Sequence, residues 1–259
     1  MKPPSSLQPI ASTEPVACKI CRGSSPLFGV IDFHKSCIEA QGKKLAPSGF
    51  PVYYRRCVVC SFTFTTAFDS WTHDEFREQV YNDDYIQVDP DFVELRPTGN
   101  ARILADTFQS SRNSIDILDY GGGTGLTAGL LRKQGFSAKT YDPFSEFNVL
   151  PTERFDLISC FEVMEHVPSP NETVATMVSL LKETGAILFS TLVQPAEFEA
   201  IGLNWWYAGP RNGHISLYST LSLAHLFRPH GMRVSSFSEG VHIAYGEIPS
   251  FASHLLKAA

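Results

Sequence analysis

The chain has 259 residues, 43% of them hydrophobic and 19% charged, with a formal net charge of −6. That balance suits a globular protein with one large α/β domain, or a medium domain plus a small one. The acidic excess argues against a nucleic-acid polymer or an anionic lipid surface as a general partner, and no apolar run is long enough to predict a membrane-spanning helix.

Residues 1–15 are polar and rich in Pro and Ser. They lack the apolar stretch of a secretory signal and read as a flexible tail. Residues 16–70 carry Cys18-x-x-Cys21 and Cys57-x-x-Cys60 among short β-like runs. Two such pairs suit four thiolates around a tetrahedral zinc ion, in a zinc-ribbon-like module too small to hold its own core. The 35 residues between the pairs exceed the usual ribbon gap, which predicts an excursion over residues 29–49. Redox pairs or an iron–sulfur cluster are the alternatives. A closed four-cysteine site leaves no open position, so its expected role is structural. Unpaired thiols of this kind fit a reducing compartment, and the expected location is the cytoplasm. Cys37 and Cys160 read as ordinary thiols.

Residues 71–97 form a predicted helical linker. Thr72 and Glu75 have the spacing of a capping box, and the helix they start is expected to end near Tyr81. From residue 98 to 259 apolar strands alternate with amphipathic helices, the mark of a mainly parallel sheet with helices on both faces. Helices are predicted over 100–109, 126–134 and 219–230, and another from Pro170 to a stop at Gly185. The first is expected to bury Ile103, Leu104 and Phe108. Strands are predicted over 115–120, 137–141, 155–161, 186–192, 232–237 and 241–245. Only the 12 residues 143–154 separate the second strand from the third. A full helix–strand–helix unit does not fit there, so the sheet is expected to be trimmed.

Asp119-Tyr120-Gly121-Gly122-Gly123-Thr124-Gly125 follows the first strand and opens a helix. Glycines let the backbone turn sharply and approach a ligand that meets the helix N–H groups. Asp142 ends the next strand, where a carboxylate can accept both hydrogen bonds of a ribose diol. Three readings compete. Gly123, Gly125 and Ala128 satisfy a dinucleotide pattern, G-x-G-x-x-A. The turn can also be purely structural. An adenosylmethionine site is favoured by the acidic residue two before the first glycine, since a cationic amino-acid end needs acceptors.

The run from Phe155 through Cys160, Phe161, Glu162, Glu165 and His166 to Val167 resembles the fourth-strand motif of class I methyltransferases. Asn204-Trp205-Trp206-Tyr207 and the run from Gly213 through His214 to Ser219 resemble the branch that includes ubiquinone-biosynthesis O-methyltransferases and sugar methyltransferases. The resemblance covers about residues 98–245. It implies a class I methyltransferase domain over residues 98–259: a Rossmann-like α/β sheet, mostly parallel with its last strand antiparallel. It also implies S-adenosylmethionine-dependent methyl transfer. Asp119, Tyr120, Gly121, Gly123 and Gly125 would hold the methionine part, Asp142 the ribose, and Phe161 and Glu162 would line the sulfonium and adenine region.

Methyl transfer to an alcohol needs a base near neutral pKa. Glu165-His166 is the first candidate and His214 the second; the bland alternative is that both histidines are satisfied structural residues. Glu162, Glu165 and His166 also resemble a cluster that in some ubiquinone O-methyltransferases uses a divalent metal. A metal-free cluster shaping the pocket is the alternative. Trp205, Trp206 and Tyr207 read equally as an acceptor wall or as core, and Tyr81 and Tyr85 are candidates for closing over the cofactor. Some sugar C-methyltransferases carry a similar N-terminal zinc module, but also a further C-terminal domain that these 259 residues lack. The expected partner is a small sugar-like or quinol-like acceptor, with no nucleic acid and no membrane. The rivals are an NAD(P)-dependent oxidoreductase and a catalytically silent binding protein.

Overall fold

A computed structural model of the chain describes residues 14–256, so most of the tail expected at residues 1–15 lies outside the described residues. In chain order the elements are β1 (Val16–Ala17), β2 (Ser24–Ser25), β3 (Leu27–Asp32), β4 (Pro51–Arg56), β5 (Thr63–Thr65), α1 (His73–Gln79), α2 (Tyr85–Val88), α3 (Leu95–Phe108), β6 (Asp116–Tyr120), α4 (Leu126–Lys133), β7 (Ser137–Tyr141), β8 (Phe155–Cys160), α5 (Pro170–Ser179), β9 (Leu181–Ser190), α6 (Phe198–Ile201), β10 (Ser216–Leu217), α7 (Thr220–Phe227), β11 (Arg233–Ser236) and β12 (Val241–Tyr245). They fall into two compact units. Among the described residues the first comprises 14–90 together with 165–171 and 192–226; the second comprises 91–164, 172–191 and 227–256.

In the first unit β1 and β2 form a small antiparallel ribbon, and a second sheet runs β10-β5-β4-β3 with every pairing antiparallel. Its edge strand β10 comes from far along the chain, with Ser216 opposite Phe64 and Leu217 opposite Thr63. This unit is therefore not one continuous stretch. Residues 165–171 and 192–226, which the sequence pattern assigns to the domain after residue 98, cluster with the cysteine-bearing residues. The excursion between the cysteine pairs begins after β3. Asp32 ties its two ends by accepting from the N–H groups of His34, Ser48 and Gly49. The core is aromatic: Phe68 packs edge-on to Trp71 with centroids 4.7 Å apart, and Trp71 meets Phe76 at 5.2 Å. The capping box at Thr72 and Glu75 forms as expected, and α1 stops at Gln79.

The second unit is a six-stranded sheet ordered β11-β12-β9-β8-β6-β7. β7, β6, β8 and β9 run parallel, and β12, the last strand of the sequence, is antiparallel to both its neighbours. β7 is the sheet edge, and residues 143–154 form neither helix nor strand beyond it, as the short spacing predicts. One sheet face buries Ile117, Ala138, Leu157, Leu188 and Ile243 against Leu104, Phe108, Ala128 and Leu131 of α3 and α4. Strand residues alternate faces, and Phe189 on the other side stacks on Phe227 at the end of α7.

Three expectations need correction. α3 buries Ala101, Leu104, Ala105 and Phe108, a clean helical stripe, and leaves Ile103 53% exposed. It also starts at Leu95, because Pro97 falls in the first turn, where its missing N–H has no helical partner to lose. Gly185 does not end α5. That helix stops at Ser179, and Gly185 sits inside β9, within the extra residues by which β9 bulges against β8. The helix predicted over 219–230 ends at Phe227 and tightens into a 3-10 turn containing Pro229, which cannot continue an α-helix. Among the described residues no helix is long and apolar enough to cross a membrane.

Candidate functional site

The glycine turn of the second unit joins β6 to α4. Gly121 donates its N–H to Tyr141 O at 2.7 Å, and Gly125 donates to Gly122 O at 3.0 Å. Gly121 has φ +77°, and a Cβ there would lie 2.2 Å from Val163 Cγ2, so both backbone and packing demand glycine. Asp119 is buried beneath the turn. Its Oδ1 accepts from Ser159 Oγ at 3.0 Å, while Oδ2 has no hydrogen-bond partner among the described residues. Burial pushes its carboxyl up to about 6; the hydrogen bond from Ser159 and the nearby Thr127 hydroxyl oppose that shift, and the charge of Asp142 adds to it. An orphaned buried acceptor of this kind is normally filled by a ligand or water, and it fits a cationic amino group.

Asp142 stands at the end of β7. Its Oδ2 accepts from Gly123 N at 2.9 Å and its Oδ1 from Phe144 N at 2.7 Å. Each oxygen keeps a second lone pair for a diol. Tyr120 closes β6 with its ring 5.1 Å from that of Tyr141. Phe161 packs against the sheet core. Glu162, expected beside it, has an unexpected backbone at φ +54°. Its N–H donates to Ser190 Oγ at 2.8 Å, and the same hydroxyl donates to Glu162 Oε1 at 2.7 Å. A left-handed non-glycine residue is a strained conformation of the sort found at functional sites. The sequence marks the residue but not this conformation.

The first unit gathers Glu165, His166 and His214, with one donor atom of each within 4.8 Å of the others. Glu165 is fully buried and His214 nearly so. The rings of His166 and His214 meet edge-on at 4.9 Å, and Tyr81 lies 6.1 Å from His166. Tyr85 donates to Asn212 O at 3.3 Å, and its ring is 5.2 Å from that of Tyr81. The Glu162 carboxylate is engaged by Ser190 in the second unit. Gly213 makes room for the cluster. It has φ +87°, and a Cβ there would stand 2.9 Å from His166 Nδ1 and 3.3 Å from the Tyr81 hydroxyl. Tyr54 donates to His214 O at 2.7 Å. Tyr207 donates its hydroxyl proton to Glu165, and its carbonyl accepts from His214 Nδ1 at 2.8 Å. Of the three aromatics read as wall or core, Trp205 and Tyr207 are buried and Trp206 is 41% exposed.

The four paired cysteines also converge. Cys18 Sγ is 3.6 Å from Cys60 Sγ, and Cys21 Sγ is 3.4 Å from Cys57 Sγ. A tetrahedron of sulfurs about 2.3 Å from a zinc ion has edges of about 3.8 Å, so the set fits that ion. The two halves repeat one geometry. Ile20 N–H points at Cys18 Sγ and Val59 N–H at Cys57 Sγ, both at 3.4 Å. Arg22 and Ser61, each just after the second cysteine of its pair, share a left-handed φ of 63° and 61°. The Cys60 thiol beside Cys18 lowers the Cys18 pKa to about 5 and is itself raised, because the two share a proton. The six cysteines form no disulfide.

Residues 92–236 match the family described as "Methyltransferase domain", more than half of the chain, and the chain belongs to that family. Its sheet, mostly parallel with an antiparallel last strand, agrees with the one that the sequence resemblance implies. A ubiquinone biosynthesis O-methyltransferase of Glaesserella parasuis is 43% identical over 49 residues, covering 19% of this chain and 21% of that protein. A protein of the same description from Coxiella burnetii is 29% identical over an alignment of 100 residues, covering 29% of this chain and 43% of that protein. The chain thus spans less than half the length of these curated relatives. Among solved structures, an O-methyltransferase family protein from Burkholderia thailandensis overlaps with a TM-score of 0.44 at 14% identity, covering 71% of this chain and 62% of that one.

Proposed function

We propose that the protein transfers the methyl group of S-adenosylmethionine to an oxygen or carbon of a small acceptor, sugar-like or quinol-like. The observation that carries this reading is the buried Asp119 carboxylate with its unpartnered Oδ2, set under a glycine turn whose following strand ends in Asp142. Membership of the methyltransferase-domain family supports it, and the description of the curated relatives supports the quinol-like choice.

The sulfonium of the donor supplies an already activated methyl group. The residues then have to bind and align. Asp119 and the turn at Tyr120, Gly121, Gly123 and Gly125 hold the methionine end, Asp142 the ribose, and Phe161 and Glu162 flank the reacting region. Alignment of donor and acceptor supplies much of the rate. Glu165, His166 and His214 take the acceptor's proton, and the cysteine set holds a structural zinc ion.

Calorimetry of the full chain with S-adenosylmethionine and with NAD(P)H tests the donor. Labelled methyl transfer to a panel of catechols, quinols and nucleotide-sugars then tests the acceptor. Absence of donor uptake by well-folded protein refutes the reading. Uptake without turnover on any acceptor favours a silent binding protein.

A second reading is favoured by the closeness of Glu165, His166 and His214: two imidazoles and a carboxylate are a sufficient donor set for a first-row divalent ion. Such an ion would lower the acceptor's pKa. Turnover unchanged by chelation and by restored Mg²⁺ or Zn²⁺ rules out a required catalytic metal.

A further inference from the structure

Several hydrogen bonds of Tyr207 have directions forced by chemistry. The Leu192 N–H can only donate, so the Tyr207 hydroxyl accepts there, at 3.3 Å. Its single proton is then directed to Glu165. The Tyr207 carbonyl can only accept. It takes the Gly209 N–H at 2.9 Å and faces His214 Nδ1 at 2.8 Å. The His214 proton must therefore sit on Nδ1; a lone pair there would confront the carbonyl's own lone pairs. In the neutral ring this leaves Nε2 as the basic nitrogen. The ring is held further by the Tyr207 ring at 4.2 Å, and Tyr54 anchors the His214 backbone by donating to its carbonyl.

We propose that Tyr207 is a positioning residue that sets two members of the cluster at once: its hydroxyl orients the Glu165 carboxylate, and its carbonyl fixes His214 as the Nδ1–H tautomer with Nε2 presented as the base. The proposal deepens the acid–base reading of this cluster and rests on it for turnover alone. The two contacts come from different parts of one residue, so they can be separated. A change to phenylalanine removes the hydroxyl and leaves the carbonyl. Cys37 Sγ, 3.5 Å from His214 Nδ1, is the competing neighbour. If the thiol donated to Nδ1, the ring would be the opposite tautomer.

The test uses the zinc-loaded full chain labelled with ¹⁵N, with the His214 signals assigned by their loss in His214→Gln. Long-range proton–nitrogen correlation under conditions where the ring is neutral shows which nitrogen carries the proton. The expected result is Nδ1–H in both wild type and Tyr207→Phe. A hydroxyl proton protected from solvent exchange is expected in wild type, moved in Glu165→Gln and missing in Tyr207→Phe. With an acceptor found in the panel above, Tyr207→Phe lowers kcat by up to about a hundredfold, as misplacement of a reacting group does, and leaves donor binding unchanged. An Nε2–H tautomer in wild type overturns the proposal, and so does a Tyr207→Phe protein that turns over at the wild-type rate. The tautomer and the hydroxyl proton are read without donor or acceptor. Their outcome is therefore distinct from any failure of the methyl-transfer reading.

Discussion

In the second unit, the glycine turn, Asp119 and Asp142 come from two adjacent parallel strands and the helix that follows the first. In the first unit, Glu165 and His166 come from one 3-10 turn and Tyr207 and His214 from a segment some forty residues later, and the two are tied together through the hydroxyl and the carbonyl of Tyr207. A parallel sheet places ligand groups at the carboxyl ends of its strands by topology alone. A loop-built cluster has no such scaffold and depends on single features, such as the bare Cα of Gly213 or the carbonyl of Tyr207. The first arrangement is written in contiguous residues, and the second only in contacts.

The strongest way to break this contrast is to remove the cross-link of the first unit. Structural zinc in small modules is worth on the order of 10 kcal/mol. If the four cysteines hold zinc as proposed, Cys57→Ser should lose that ion and unfold the aromatic core around Trp71. All three tryptophans, Trp71, Trp205 and Trp206, lie in the first unit. Their emission should therefore shift to the red as metal is lost. Unchanged emission with the zinc gone would show that the module holds itself together without metal.

Next in size is Gly121→Ala. The added Cβ must displace Val163 from 2.2 Å while the backbone stays at φ +77°. Together these cost about 2–4 kcal/mol and disturb the turn itself. Donor affinity, measured by calorimetry, should fall at least tenfold. Gly135→Ala is the control: its φ is +88°, but a Cβ there meets nothing within 4 Å. It should cost only the backbone term, about 1 kcal/mol, and spare donor binding. Equal losses in the two variants would mean that Val163 packing is irrelevant to the turn.

Much of the second unit was legible because its signals are local. The strand at Ser137–Tyr141, the turn after Tyr120 and the trimmed edge all follow from alternation, glycines and spacing within short windows. Where two local signals compete, the pattern misleads. Gly185 looks like a helix stop, yet Leu181 already pairs with Phe155, and the glycine lies inside the bulged strand. The cysteine spacing also announces its cluster. The rest of the first unit is long-range. Nothing near residue 64 says that Ser216 will pair with it, and a carbonyl such as that of Tyr207 has no side-chain signature at all.

A smaller effect tests Asp119 as a ligand group. Burial raises its carboxyl to about 6, above the ordinary 3.8. The protonated form is thus favoured in the fold. The stability it contributes is complete below about pH 4 and lost as pH rises through about 6. A cationic amino group at Oδ2 favours the carboxylate and reverses that preference. Donor affinity should therefore rise between about pH 4 and pH 6 and level off above. Calorimetry in two buffers near pH 5 should show proton release on binding, and Asp119→Asn should abolish both. Affinity that is flat across this window places the donor's amino group elsewhere.

The smallest expected effect is at Ile103, and set beside its neighbour Leu104 it separates periodicity from mere hydrophobicity within α3. Leu104 is fully buried and Ile103 is 53% exposed, although they are neighbours and both apolar. Leu104→Ala leaves a cavity against the sheet and should cost about 2–5 kcal/mol. Ile103→Ala removes a side chain that already faces water, and alanine is the better helix former, so stability should change by no more than about 0.5 kcal/mol. Urea unfolding of the two variants decides between the faces. A loss at Ile103 comparable to that at Leu104 would mean that the helix is rotated by about 100° from the face described, and that the core of the second unit is built on the residues a simple count of hydrophobic positions would choose.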